Sequence, residues 1–160
     1  TIIGHEAEKV FLRNMLTGQR KTPSLLFYGP EGIGKRKMAR AFAQSFLCLE
    51  NPLVPCTCRS CQAMENDSHP DFIEVEPGGK SRTIGVDAIH ELIAKAAFGP
   101  VLSPYKVCLI DKAHTLREEA QNSLLEAEER QSIAEYSTKI CEISLLQLSG
   151  KIMDMFHEND

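Results

Sequence analysis

Apolar residues recur along this chain in short blocks that switch between two periods. Over residues 5–17 they fall at helical spacing, with Ala7, Val10, Phe11 and Met15 on one face, and Gly18 is a stop signal. Ser24 to Tyr28 is an apolar run of the kind that forms a buried strand. Residues 35–48 return to helical spacing, which predicts burial of Met38, Ala41, Phe42 and Phe46, with Leu49 just beyond. A Pro- and Cys-rich excursion fills 49–62. Asp71 to Glu76 alternates, with Phe72 opposite Ile73, and reads as a strand. Val86 to Ala97 reads as a helix with Ile89, Leu92, Ile93 and Ala96 inward. Lys106 to Asp111 is apolar on both faces, the mark of a central parallel strand, and Leu116 to Glu128 is a helix. Residues 130–160 read mainly as helix, with a strand inside Lys139 to Leu146 as the competing reading. Strands that alternate with helices predict an α/β fold built on a parallel sheet.

Composition adds bounds to this outline. A chain of 160 residues, 42% hydrophobic and 25% charged, suits one globular domain of ordinary core size. The formal net charge of −4 is no overall footprint for nucleic acid, although Arg36, Lys37 and Arg40 make a local basic group. No apolar run approaches the ~20 residues of a membrane span, and Thr1 opens no recognisable signal peptide, so a cytoplasmic location is expected. In that compartment the six cysteines read as thiols or metal ligands rather than disulfides.

The chemistry begins at residues 29–36, Gly-Pro-Glu-Gly-Ile-Gly-Lys-Arg. This is the phosphate-cradling pattern G-x-x-x-x-G-K-[ST], complete except at its last position, in a strand–loop–helix setting. Gly29, Gly32 and Gly34 allow backbone N–H groups to converge on phosphate oxygens, Ile33 lies in the same loop, and Lys35 adds a full positive charge to the helix N-terminus. The last position normally supplies a hydroxyl to Mg²⁺, and Arg36 has none. Asp111, at the carboxyl end of the predicted central strand, is placed to hold the water shell of such an ion, or else to cap the next helix. The residue after it is Lys112, an ammonium that cannot serve as a base at neutral pH. Nucleotide binding is therefore expected while hydrolysis is not.

Cys48, Cys56, Cys58 and Cys61 form a second constellation. Cys58-x-x-Cys61 has the spacing of a zinc knuckle, Cys56-x-Cys58 is tighter, and Cys48 is available as the fourth thiolate. Four sulfur ligands leave no open position, so the role would be structural. Cys108 and Cys141 stand alone and read as core residues. His69-Pro70-Asp71 reads as a turn leading into a strand, with metal ligation by His69 as the lesser alternative.

These motifs, in this order, resemble the N-terminal module of bacterial DNA polymerase III clamp-loader subunits, within the AAA+ family. The resemblance runs over residues 1–129 and rests on Ile3-Gly4-His5, Leu26 to Lys35, the four cysteines, His69-Pro70-Asp71, Ile84 to Ile89, the strand ending at Asp111, and Ala120 to Leu125. It implies a P-loop AAA+-type parallel sheet with flanking helices and a zinc knuckle inserted at 48–62. Two subunits share the layout. The gamma/tau motor resembles the pattern with Ser or Thr after the P-loop lysine and Asp-Glu after the strand; the delta-prime subunit is similar but has commonly lost those residues. Arg36 and Lys112 favour a delta-prime-like reading. It implies a structural zinc, ATP bound without hydrolysis if at all, other clamp-loader subunits as partners in a hetero-oligomeric ring, and contact with sliding clamp and primed DNA through that assembly. An active gamma/tau-type ATPase and a degenerate P-loop interaction module are the alternatives. No catalytic residue is expected.

The sequence also departs from the family. It has no Ser-Arg-Cys motif after residue 111, and the Leu-Glu-Glu-Pro-Pro stretch survives only as Glu126-Ala127-Glu128-Glu129-Arg130. The pattern stops after about residue 126, as a truncation or a shifted reading frame would produce. AAA+ sheets resemble the strand order 5-1-4-3-2, so the sheet is expected to be incomplete unless Lys139 to Leu146 supplies the strand between the first and third.

Overall fold

The computed structural model describes residues 4–18, 25–133 and 140–143, with side chains described to residue 127. The elements in chain order are α1 (Glu6–Thr17), α2 (Lys35–Leu47), α3 (Arg59–Glu65), β1 (Phe72–Val75), α4 (Val86–Ala97), β2 (Lys106–Ile110), α5 (Glu118–Ile133) and β3 (Ile140–Ile143). The three strands form a parallel sheet in the order β1-β2-β3, with Phe72 opposite Val107 and Leu109 opposite Ile143.

β2 is central because both of its faces are apolar, and every residue in it is buried. Its alternation divides the core. Val107 and Leu109 face a cluster with Leu12, Met38, Phe42, Ala43, Leu47 and Met64, supplied by α1, α2 and α3. Cys108 and Ile110 face Ile73, Ile89, Leu92, Leu116, Ala120 and Leu124 on the side of α4 and α5. Lys106 is buried at the entrance to β2, where its ammonium donates to the carbonyls of Lys95 (2.9 Å) and Phe98 (2.7 Å). A cation at the last carbonyls of α4 is favoured by the helix dipole.

The central strand and the buried faces of α2 and α4 follow the hydrophobic pattern, with four corrections. Ser24–Tyr28 is not a buried strand: Leu25 makes a single bridge, residues 26–28 form no ladder, and Tyr28 is 82% exposed, while Ser24 lies outside the described residues. Leu25 and Phe27 instead lie partly buried against the α2 cluster. α1 buries Leu12, with Met15 and Leu16 partly covered, and leaves Val10 and Phe11 exposed. Apolar residues occur all round this helix, so period alone admits two faces, and docking on α2 selects the other one. In α2, Ala39, Ala43 and Leu47 are buried while Ala41 is exposed, on the face turned from the core; Leu49 is exposed because the helix ends at Leu47 and the chain turns away at Cys48. In the tail, α5 runs to Ile133 and residues 140–143 form a strand beside β2, the reading that competed with helix. Residues 144–160 lie outside the described residues.

Candidate functional site

The P-loop closes between Tyr28 and the first turn of α2. Gly29, Gly32 and Gly34 have φ of 139°, 84° and 91°, conformations that favour glycine. Side chains added at Gly32 or Gly34 would meet nothing within 4 Å, so the strain there is in the backbone and the cradle is open. At Gly29 a Cβ would come 2.8 Å from Cδ1 of Ile33, which packs across the loop. The carbonyl of Gly34 accepts the first bond of α2, from the Met38 N–H at 2.9 Å. The loop therefore ends at a helix N-terminus, the arrangement that receives a phosphate. Lys35 donates to the carbonyls of Gly29 and Pro30, both at 2.7 Å, and so ties the loop to itself.

Arg36 turns toward the carboxyl ends of the strands. Its Nε donates to Oε1 of Glu74 at 2.7 Å, its Nη1 donates to Oε2 of Glu76 at 2.8 Å, and Nη1 lies 3.7 Å from Oδ2 of Asp111. The bond to Glu74 is the main reason that its already high pKa is raised further. One turn along α2, Arg40 pairs with Glu74 and with Asp67, and its guanidinium lies 5.4 Å from the centre of the Phe72 ring. Strand alternation explains the assembly. Glu74 pairs in register with Leu109, whose side chain faces α2, and Glu76 and Asp111 lie two residues further along, each just past the end of its strand and on the same side. Lys112, with φ of 53°, places its Nζ 3.9 Å from Glu31 of the P-loop.

Nucleotide phosphates suit the open cradle, but Mg²⁺ does not suit its surroundings. The hydroxyl that would ligate the ion is replaced by Arg36, and the carboxylate expected to hold its water shell lies in salt-bridge range of that guanidinium. Glu74 and Glu76, unremarked in the sequence, complete the site. Nothing local marked them: they lie 38 and 40 residues from Arg36, and only the parallel pairing of β1 with β2 brings them there.

The sulfur atoms of Cys48, Cys56, Cys58 and Cys61 all lie within 4.8 Å of one another, with Cys48 and Cys58 at 4.0 Å. Thiolates ~2.3 Å from a tetrahedral Zn²⁺ stand a little under ~4 Å apart, so the set fits that ion. Cys48 ends α2 and Cys58 opens α3, which makes the cluster a clasp between the two helices. Burial works against ionisation of Cys58, but the N–H groups of Cys61 and Leu49 and the neighbouring thiols bring it down to about 6. Burial pushes the Cys61 thiol up. The Cys58 N–H lowers the Cys56 thiol, yet burial and bonds to Glu50 and the other thiols raise it to about 11. Such a set is short of positive charge, which a divalent ion supplies by displacing the protons.

His69 takes no part in the cluster. It is buried, its Nδ1 accepts the Asp71 N–H at 3.0 Å, and its Nε2 lies 2.8 Å from the Ser60 hydroxyl. Ser60 and Ser103 both donate to the carbonyl of Leu47, at 2.7 and 2.8 Å. The carboxylate of Asp71, fully buried, accepts N–H bonds from Val101 (2.6 Å), Leu102 (2.7 Å) and Ser103 (2.7 Å). The His-Pro-Asp turn is thus a buried lock joining the end of α2, the knuckle helix α3 and the loop that leads into β2.

Comparison with known proteins assigns the family. The sequence model of the family described as DNA polymerase III, delta subunit, matches residues 4–132. The chain belongs to this family. It is 35% identical over 126 residues to the DNA polymerase III subunit tau of Bacillus subtilis, covering 78% of this chain and 22% of that protein. It is also 35% identical over 116 residues to the subunit delta' of the same organism, covering 71% of this chain and 34% of that protein. The subunit delta' of Pseudomonas aeruginosa is 34% identical over 110 residues, covering 67% and 33%. The chain therefore spans roughly a third or less of the length of these curated relatives. The fold is shared with a gamma subunit-related protein of Thermotoga maritima, at a TM-score of 0.56 and 17% identity, over 84% of this chain and 37% of that one. Among the described residues no helix is long and apolar enough to cross a membrane.

Proposed function

We propose that this chain is the AAA+-type module of a delta-prime-like subunit of the DNA polymerase III clamp loader, a non-hydrolysing member of a hetero-oligomeric ring in the bacterial cytoplasm. In this role it helps set the sliding clamp on primed DNA. The observation that carries the reading is that Arg36, at the position where a hydroxyl would ligate Mg²⁺, pairs with Glu74 and Glu76 and lies 3.7 Å from Asp111, the carboxylate expected to hold that ion's water shell. Lys112 supports it, because an ammonium paired with Glu31 cannot polarise an attacking water. Gly29, Gly32, Ile33, Gly34 and Lys35 would contact nucleotide phosphates where nucleotide binds, and Cys48, Cys56, Cys58 and Cys61 would hold a structural zinc. No residue is given a catalytic role.

A gamma/tau-type motor is the second reading, favoured by the tau relative that matches over 78% of the chain. A reconstituted clamp loader separates the two. With Lys35→Ala in this subunit, a scaffold leaves the rate of clamp loading on primed DNA within about twofold of wild type. A loss of loading of tenfold or more, about 1.4 kcal/mol of barrier, would establish the motor instead.

A further inference from the structure

We propose that Arg36 is the resident cation of this P-loop: its guanidinium, held by Glu74, Glu76 and Asp111, takes the place of a divalent ion and excludes one. The inference rests on the non-hydrolysing reading above and goes beyond it, since loss of hydrolysis alone does not require loss of the metal. Three carboxylates, Glu74 near the end of β1 and Glu76 and Asp111 just past the ends of β1 and β2, converge at that end of the sheet, within 2.7, 2.8 and 3.7 Å of one guanidinium. Such oxygens are the hard ligands that Mg²⁺ prefers. Arg36 meets them with fixed, directional N–H donors and a charge that persists at all physiological pH. Arg40 takes up the second oxygen of Glu74, so that carboxylate is engaged on both sides. A divalent ion would have to displace Arg36 and then face its charge nearby. The position that supplies a hydroxyl ligand elsewhere thus supplies a counter-ion here.

The test is direct titration of Mn²⁺, read by electron paramagnetic resonance, into the full chain with its cysteines loaded with zinc. Mn²⁺ is a hard ion that four thiolates do not favour. The wild type should show no saturable Mn²⁺ site. Arg36→Ser, shown to be folded by circular dichroism, should bind Mn²⁺ at least about tenfold more tightly, and adding Asp111→Asn should abolish the gain. Arg36→Gln is measured in the same way and decides if the serine variant does not fold. Saturable Mn²⁺ binding by the wild type that is weakened by Asp111→Asn overturns the proposal, and so does a folded neutral variant that gains no site. The wild-type arm stands whether or not the variants fold. The measurement needs no nucleotide and no partner subunit. Asp111-dependent Mn²⁺ binding by the wild type would therefore sink this inference alone, whereas metal-dependent ATP turnover would sink the scaffold reading.

Discussion

Replacing Asp71 by Asn changes a carboxylate to an amide of the same shape at a fully buried position. The carboxylate accepts three short N–H bonds, from Val101, Leu102 and Ser103. Hydrogen bonds to an ionised group contribute ~1.5–3 kcal/mol each against ~0.5–1.5 for neutral pairs. The amide oxygen of Asn can keep the two bonds to Leu102 and Ser103, each weakened by ~1 kcal/mol. Its NH₂ then faces the Val101 N–H, donor against donor. Val101 is largely exposed and its N–H can recruit water, so that loss is ~1 rather than ~3 kcal/mol. The sum is ~3 kcal/mol, a large share of the ~5–15 kcal/mol that holds a domain folded. Urea unfolding of the zinc-loaded chain, followed by far-ultraviolet circular dichroism, measures it. A midpoint shift worth less than ~1 kcal/mol at unchanged slope would refute the lock, because it would mean that the three bonds leave the fold's stability nearly untouched.

Burial lowers the His69 imidazole from its ordinary value of 6.5. Between the folded and unfolded values the unfolded chain binds more protons, so the stability this group contributes is complete above about 6.5 and declines as pH falls below it. His69→Gln, whose amide can still meet Ser60 and Asp71, should flatten that part of the stability–pH curve; an unchanged slope between the two proteins would count against it. Cys61→Ser should remove stoichiometric zinc, measured by elemental analysis, and destabilise the α2–α3 clasp. A wild type purified without chelators that carries no zinc would refute the metal reading.

The parts of this fold visible in the sequence are those fixed by local chemistry. Three glycines and a lysine at set spacing announce the P-loop, and the spacing of Cys58 and Cys61 announces the cluster. The doubly apolar run from Lys106 to Ile110 announces a strand covered on both faces. What stayed hidden depends on partners far along the chain. Arg36 was visible as a missing hydroxyl, but not as the hub of an ion-pair network, because Glu74 and Glu76 reach it only through the pairing of β1 and β2. His69 and Asp71 read as turn residues because their partners, Ser60 and Ser103, are ordinary in sequence and become buried only when α3 and the 101–103 loop close over Leu47. The buried face of α1 is ambiguous in the sequence for a simpler reason: Val10 and Phe11 carry as strong an apolar signal as Leu12 and Leu16, and only contact with α2 distinguishes them.

A P-loop that keeps its cradle without its chemistry should release phosphate from ATP, in steady state on the zinc-loaded chain with excess Mg²⁺, at a rate indistinguishable from that of the Lys35→Ala variant and from buffer. Turnover well above both, dependent on Mg²⁺ and abolished by Lys35→Ala, would contradict that reading.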